Sequence, residues 1–363
     1  MKILFILEYY YPNIGGVETL FKTLAEKLVQ NGNEVEVVTM RFSPELPHEE
    51  FVNGVSIKRL KLTNRIAFAL LSGFYLYKNV RRCDIIHTTS SSAGFPSSVL
   101  AKLFRKKVVI TFHELWGKLW FKLPFMDFFT RNFNFLFEQI IARLPYSKIV
   151  TVSDYTKNCL IDSGISTEKI SRIYNGLDYE KFNGAKWQAP ENFTFTFFGR
   201  LGVSKGLDIL IPAAAKFFKK NPDASLKLII PTIPKKFFAK VKKLLEQWQI
   251  SKQCEILNNL EKEELNRHLC SSSCVVVSSY SEGFCFAATE AIAMNIPVIS
   301  SDKGALKEVI SGRYIKLNSL SFKSLAEALQ LAKEGKWTIS PIKKFDLLTQ
   351  VKSYIELYES MVK

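Results

Sequence analysis

Short apolar runs alternate along the chain with longer amphipathic stretches. The runs Ile3–Leu7, Val35–Thr39, Ile85–Thr88, Val108–Phe112 and Ile149–Val152 are continuous rather than alternating. That is the pattern of parallel strands buried on both faces. Helical periodicity fills the intervals, as over Val17–Gln30, so the first half reads as a run of βα units. The pattern then restarts with Phe193–Phe198, Leu226–Ile230, Glu255–Leu257, Val275–Val277 and Val298–Ser300. Gly206–Lys219 and Lys235–Trp248 are helical stretches of this second series, and a last one covers Phe345–Met361. Gly176, Gly184 and Pro190 interrupt the periodicity between the two series. The expected fold class is α/β, with two parallel sheets in tandem.

Length and composition agree with this reading. A chain of 363 residues suits two domains, and 47% hydrophobic with 23% charged residues excludes wholesale disorder. Six cysteines, with no CxxC pair, read as buried thiols in a reducing compartment rather than disulfides or a zinc site. No signal peptide is visible, and the uncharged stretch Ile66–Tyr77 falls short of the roughly 20 residues a bilayer span needs. The expectation is a cytoplasmic protein, free or peripheral at the cytosolic membrane face.

Charge is uneven. The net is +16, and Lys58–Arg143 holds 15 Lys and Arg against 4 Asp and Glu, a net of +11. Such a stretch suits anionic lipid, nucleic acid or a phosphorylated substrate, or it merely solubilises a lysine-rich surface. Within it, residues 115–144 interleave nine Trp and Phe with Lys118, Lys122, Arg131 and Arg143. That segment reads equally as a membrane-interface element or as core.

Three loops carry candidate chemistry. Tyr11–Glu18, YPNIGGVE, joins the first strand to the first helix, and Gly15-Gly16 would let the backbone approach an anion at a helix start. No GxGxxG is present there, which argues against a nicotinamide or flavin site. Phe197–Gly206, FFGRLGVSKG, places Arg200 and Lys205 at the carboxyl end of the first strand of the second series. Ligands bind at such ends, and two cations beside a glycine loop suit a diphosphate. Tyr280–Val298, YSEGFCFAATEAIAMNIPV, sets Glu282 in a loop and Glu290 about one turn into the next helix. Two carboxylates at different heights can hold separate hydroxyls of an extended ligand. The amides of Gly283, Phe284, Cys285 and Phe286 between them suit a phosphate.

In this order the motifs resemble the retaining nucleotide-sugar glycosyltransferases of family 4, which have the GT-B fold, and Glu282 and Glu290 match that family's E-x7-E motif. The resemblance extends over nearly the whole chain. It includes Asp84–His87, Thr111–Glu114 with His113, Val152-Ser153, Ile173–Asp178 and Gly304–Val309. It implies two Rossmann-like parallel-sheet domains facing across a cleft. Residues 1–177 would bind acceptor and 178–345 the nucleotide sugar, with the helix at about 346–363 packing back on the first domain. It further implies His113 and Glu282 as catalytic residues facing the donor sugar. Gly15 and Gly16 would approach the donor diphosphate or the acceptor, Arg200 and Lys205 would bind the diphosphate, and Glu290 would hold the ribose. Gly283, Phe284, Cys285 and Phe286 would support sugar and phosphate.

The implied reaction transfers a hexosyl unit, with retention, from a nucleotide sugar to a saccharide or lipid-linked acceptor. UDP is favoured on the resemblance alone. Cations and a helix start can stabilise the departing nucleoside diphosphate without a divalent metal, so no cofactor is expected. A peripheral contact with anionic membrane is expected, and no nucleic acid. Two positions depart from the family pattern, Cys285 and Asn295, where glycine is common. A rival from a different class is a non-catalytic basic nucleotide- or nucleic-acid-binding module. It has the basic composition in its favour and the absence of a recognition motif against it.

Overall fold

The computed structural model describes residues 1–13 and 15–362. Ile14 of the glycine motif and Lys363 of the last helical stretch lie outside the described residues. The chain forms two units. Unit 1 takes Met1–Trp120, Phe128–Gly176 and the end of the chain from Phe345; unit 2 takes Phe121–Asp127 and Leu177–Lys344.

Unit 1 is built from β1 (Lys2–Ile6), α1 (Gly16–Gln30), β2 (Glu34–Met40), β3 (Glu49–Val52), β4 (Val55–Leu60), α2 (Arg65–Arg82), β5 (Ile85–Thr89), α3 (Gly94–Leu103), β6 (Lys107–Phe112), α4 (Phe128–Arg143), β7 (Lys148–Thr151), α5 (Asp154–Asp162) and β8 (Ile170–Arg172). The strand order is β3-β4-β2-β1-β5-β6-β7-β8, parallel except for the antiparallel pair β3–β4. Phe68, Leu76 and Val80 of α2, Leu100 of α3, Ile141 of α4 and Leu160 of α5 share one core with Leu4, Ile6, Ile86 and Ile110 of the strands. Those four helices therefore cover one face. Phe5 and His87, register partners on β1 and β5, meet Phe21 of α1 on the other face, with rings 5.0–5.3 Å apart. Asn64 caps α2 by accepting from the Ala67 amide, and Ser153 caps α5 by accepting from that of Thr156.

Unit 2 is built from β9 (Thr194–Phe198), α6 (Leu207–Phe218), β10 (Ser225–Ile229), α7 (Lys235–Gln247), β11 (Cys254–Leu257), α8 (Lys262–Cys270), β12 (Cys274–Val277), α9 (Phe286–Ala293), β13 (Val298–Ser300), α10 (Leu306–Val309), β14 (Gly312–Lys316), α11 (Phe322–Lys333) and β15 (Thr338–Ser340). The order is β11-β10-β9-β12-β13-β14-β15, with only the edge strand β15 antiparallel. Phe195, Leu226, Leu228 and Val276 pack beneath Leu210 and Ile211 of α6, Val241 of α7 and Leu325 of α11. The last helix, α12 (Leu347–Val362), belongs to unit 1. There Tyr354 and Tyr358 are fully buried against His87.

The ten apolar runs each fall on a strand. Among the described residues five strands lie outside them: β3, β4, β8, β14 and β15. The segment at residues 115–144 divides between the two readings. The amides of Trp116 and Gly117 donate to the two oxygens of Glu138, and the Trp116 and Trp120 rings lie 4.4 Å apart. Leu123, Ile141 and Ala142 are buried, while Phe128, Phe129 and Phe133 are exposed. Residues 121–127, expected in the first domain, group with unit 2, where Phe125 meets Phe237 edge-on and lies beneath the Lys240 ammonium. All six cysteines are free thiols. No helix among the described residues is long and apolar enough to cross a membrane.

Candidate active site

In unit 2, β9 and β12 are adjacent and parallel, so the loops leaving their carboxyl ends meet. The first loop runs from Gly199 to Gly206 and carries Arg200 and Lys205; the second runs from Ser278 to Cys285 and carries Glu282. Gly206 sits at φ 67°, and a Cβ there would lie 2.0 Å from the Ser278 carbonyl oxygen. Neither the conformation nor the space admits another residue. Backbone and side-chain bonds fasten the loops together: the Tyr280 amide donates to the Ser204 carbonyl at 2.7 Å, and Ser278 Oγ donates to that of Lys205 at 3.0 Å.

This fastening brings Lys205 Nζ to 2.7 Å from Glu282 Oε1, and Ser279 Oγ donates to the same oxygen at 2.5 Å. Glu282 is only 9% exposed and Lys205 is 26% exposed. The ammonium has three donors, and Glu282 takes one of them. Arg200 is exposed one residue beyond Gly199. The hydroxyl of Tyr280 donates to Asp208 Oδ2 at 2.7 Å, below the loops at the start of α6. Burial pushes the Asp208 carboxyl up, against the lowering effect of that hydrogen bond.

The second loop then turns into α9. Gly283, Phe284 and Cys285 are buried, and the Phe284 and Phe286 rings meet edge-on at 5.3 Å. Cys285 adopts φ 81° and Asn295 φ 60°. Both departures from the family pattern thus stand at left-handed positions, which is where glycine carries no steric penalty. Asn295 ends α9 as a left-handed cap residue, its amide reaching the Ile292 carbonyl at 2.9 Å. Glu290, on α9, receives Lys262 Nζ at 2.9 Å, and that ammonium also lies 5.0 Å over the Phe182 ring.

In unit 1, Gly15 precedes α1 with extended backbone and Gly16 is the helix's first residue. His113 follows β6, and its ring lies 6.1 Å from that of Phe21 on α1. Strand β5 separates β1 from β6, so the glycine pair and His113 share one sheet edge, at the carboxyl ends of the strands. The structure therefore gathers the sequence candidates into two groups. Unit 1 holds Gly15, Gly16 and His113. Unit 2 holds Arg200, Lys205, Glu282, Gly283, Phe284, Cys285, Phe286 and Glu290.

Sequence reasoning missed several partners. Ser279 was legible only as part of a serine-rich approach to Glu282, and Lys262 lies in an ordinary charged run. Glu8 had a clearer signal, a carboxylate ending an apolar strand. It is buried, accepts from the Ser92 amide at 3.1 Å and hydroxyl at 2.6 Å, and pairs with Arg65 at 2.6 Å.

Comparison with known proteins identifies the class. The profile for Glycosyltransferase Family 4 matches residues 14–181, and that for Glycosyl transferases group 1 matches residues 180–338. A human phosphatidylinositol N-acetylglucosaminyltransferase polypeptide is 26% identical over 91% of this chain and 68% of its own length. An uncharacterized glycosyltransferase of Methanocaldococcus jannaschii is 27% identical over 85% of this chain and 83% of its own. Among solved structures, sucrose-phosphate synthase from Thermosynechococcus elongatus superposes with a TM-score of 0.81 at 20% identity, covering 99% of this chain and 98% of that one. Anabaena HepE, solved with UDP and glucose, gives 0.72 at 16% identity over 99% and 100%. The chain belongs to the family 4 glycosyltransferases and has the GT-B fold. It is an enzyme, which sets aside the non-catalytic module.

Proposed function

We propose that this glycosyltransferase moves a hexosyl unit from a nucleotide sugar to a saccharide or lipid-linked acceptor and retains the anomeric configuration. The observation that carries the reading is the Lys205–Glu282–Ser279 cluster beside Arg200, where two parallel strands end and α9 begins. A departing nucleoside diphosphate accumulates negative charge, and preorganised cations and amides stabilise such charge strongly. Arg200 and Lys205 take that role, with the amides from Gly283 to Phe286. Glu282 receives hydroxyls of the donor sugar, Glu290 the ribose hydroxyls, and His113 a further contact with the sugar. Gly15 and Gly16 let diphosphate or acceptor approach the backbone at the start of α1. These groups supply the charge stabilisation without a divalent metal. UDP is the favoured nucleotide, supported by HepE, which was solved with UDP and glucose. A lipid-linked acceptor is supported by the name of the human relative, which is that of a phosphatidylinositol N-acetylglucosaminyltransferase. The protein would work in the cytoplasm, at the cytosolic membrane face.

The test is a thermal-shift panel of UDP, GDP, ADP and their common sugar conjugates on wild type and Lys205→Ala. A ligand that binds only the folded state raises the melting temperature. One nucleotide class should stabilise the wild type, and the variant should lose that shift. Turnover of the stabilising donor should fall in Lys205→Ala by about 10²- to 10³-fold, the usual loss for a preorganised donor at developing charge. If none of the nucleotides shifts the wild type, the donor-site assignment fails. Proton NMR of the product's anomeric signal decides retention.

A further inference from the structure

The helices that cover one face of unit 1 turn a second apolar surface outward. Ile66, Leu70 and Phe74 stand one turn apart on α2, Leu103 lies at the end of α3, and Phe129 and Phe133 stand one turn apart on α4. These six residues are 61–82% exposed. They are not loose core residues, because each helix already buries its inner side in the sheet's core. Helix α2 packs on α3, and α4 approaches α3 on its inner side, where a Cβ at Gly94 would lie 3.3 Å from buried Ile141. Exposed apolar surface on this scale marks an interaction site rather than ordinary surface scatter.

Charge selects the occupant. Lys78, Arg81 and Arg82 close α2, and Lys102 on α3 is followed by Arg105 and Lys107. Helices α2 and α3 carry no acidic residue, and the single one on α4, Glu138, is held by the Trp116 and Gly117 amides. A two-fold contact between copies of this chain would set these cations against themselves. An anionic bilayer meets both features, taking the apolar side chains into its interface and the cations against its headgroups. Arg65, the first residue of α2, is tied to Glu8 just past β1, so α2 starts at the carboxyl edge of the sheet and its closing cations lie toward the opposite edge. Ile66, Phe129 and Phe133 lie in the first two turns of their helices, toward the carboxyl edge of the sheet, where His113 and the glycine pair stand.

The geometry points to the outer face of α2, α3 and α4 as a docking surface for an anionic lipid bilayer. It rests on the proposed lipid-linked acceptor for its purpose only; the surface itself is independent of that reading.

Flotation of the full-length protein with vesicles of phosphatidylcholine, alone or mixed with phosphatidylglycerol, tests it. The wild type should float with the mixed vesicles and lose binding as salt rises. The pairs Leu70→Gln/Phe74→Gln and Phe129→Gln/Phe133→Gln should each lower the partition coefficient at least about tenfold, as burial of large apolar side chains requires. Arg81→Gln/Arg82→Gln should lower it by about tenfold or more on anionic vesicles only. The nucleotide-dependent thermal shift should persist in all of these variants, showing that they fold and keep the donor site. The proposal is overturned if the wild type floats with neither vesicle or if the variants float as it does. A dimer in light scattering that Leu70→Gln/Phe74→Gln dissociates would also overturn it, assigning the face to a second copy. Loss of the nucleotide shift in the wild type would strike the donor-site reading and leave the flotation result standing.

Discussion

His87 is buried among hydroxyls and rings and, within the described residues, meets no countercharge that would favour an added proton. It is fully buried on β5, its Nδ1 is 2.5 Å from the Tyr358 hydroxyl and its Nε2 is 2.8 Å from Thr111 Oγ1. Thr111 in turn is 3.1 Å from the hydroxyl of Tyr354, and the rings of Phe5 and Phe21 close the site. Burial, and to a smaller extent the neighbouring His113, push the imidazole down from 6.5 to about 3. The unfolded chain therefore binds a proton between those values that the folded chain does not. Stability is complete above about pH 6.5 and is lost as pH falls toward 3. Between pH 7.5 and pH 5 this one group should remove about 2 kcal/mol. Urea midpoints at the two pH values should differ accordingly in the wild type and by clearly less in His87→Gln. An equal difference in both would show that other groups set the acid sensitivity. The residue type was plain in the sequence, but its burial was not, because α12, which supplies both tyrosines, follows it by some 260–270 positions. Lys205 and Glu282 were legible for the opposite reason: each sits in a glycine-bearing loop directly after an apolar strand.

At the scale of elements, the continuous apolar runs found the parallel strands because burial on both faces leaves no polar alternation. The same criterion passes over β3 and β4. This antiparallel pair turns at Asn53-Gly54, both at positive φ, and β4 alternates buried and exposed positions in its first half. The Asn-Gly pair was the available signal. The hairpin also reaches the candidate site. Arg59 of β4 is 1% exposed, pairs with Glu50 of β3 at 2.7 Å and donates to the Tyr11 carbonyl at 2.9 Å, at the head of the glycine motif. Removing one partner of a buried pair leaves the other uncompensated, which costs more than replacing both. Glu50→Gln should therefore destabilise unit 1 by about 3 kcal/mol, although Glu50 is itself partly exposed. The double variant Glu50→Gln/Arg59→Met should be less destabilised than the single one. Denaturant melts of the three proteins decide it, and additive losses would remove the pairing from the account.

At the scale of the molecule, unit 1 is completed by α12, and its docking rests on one close approach. A Cβ at Gly176 would lie 2.4 Å from the Leu347 Cα and 2.9 Å from the Asp346 carbonyl oxygen. The Gly176 amide donates to Gln350 Oε1 at 2.9 Å, so backbone meets backbone where α12 begins. Tyr174 stacks edge-on against Phe345 in the same junction, at 5.1 Å. The glycine thus stands here for space, since no flexible side chain is present that could move aside. Gly176→Ala must displace the start of α12, and with it the helix that carries Tyr354 and Tyr358 into the His87 site. The expected cost is about 2–4 kcal/mol, in the range of overpacking against an element that cannot relax. It should appear as faster hydrogen exchange in α12, β5 and β6, while α6 and α9 of unit 2 keep their protection. Equal loss in both units would mean that the glycine governs the fold as a whole, and unchanged exchange in α12 would mean that the junction yields without cost. The expected result would place the stability of unit 1 under the control of α12, apart from the loops that hold Lys205 and Glu282.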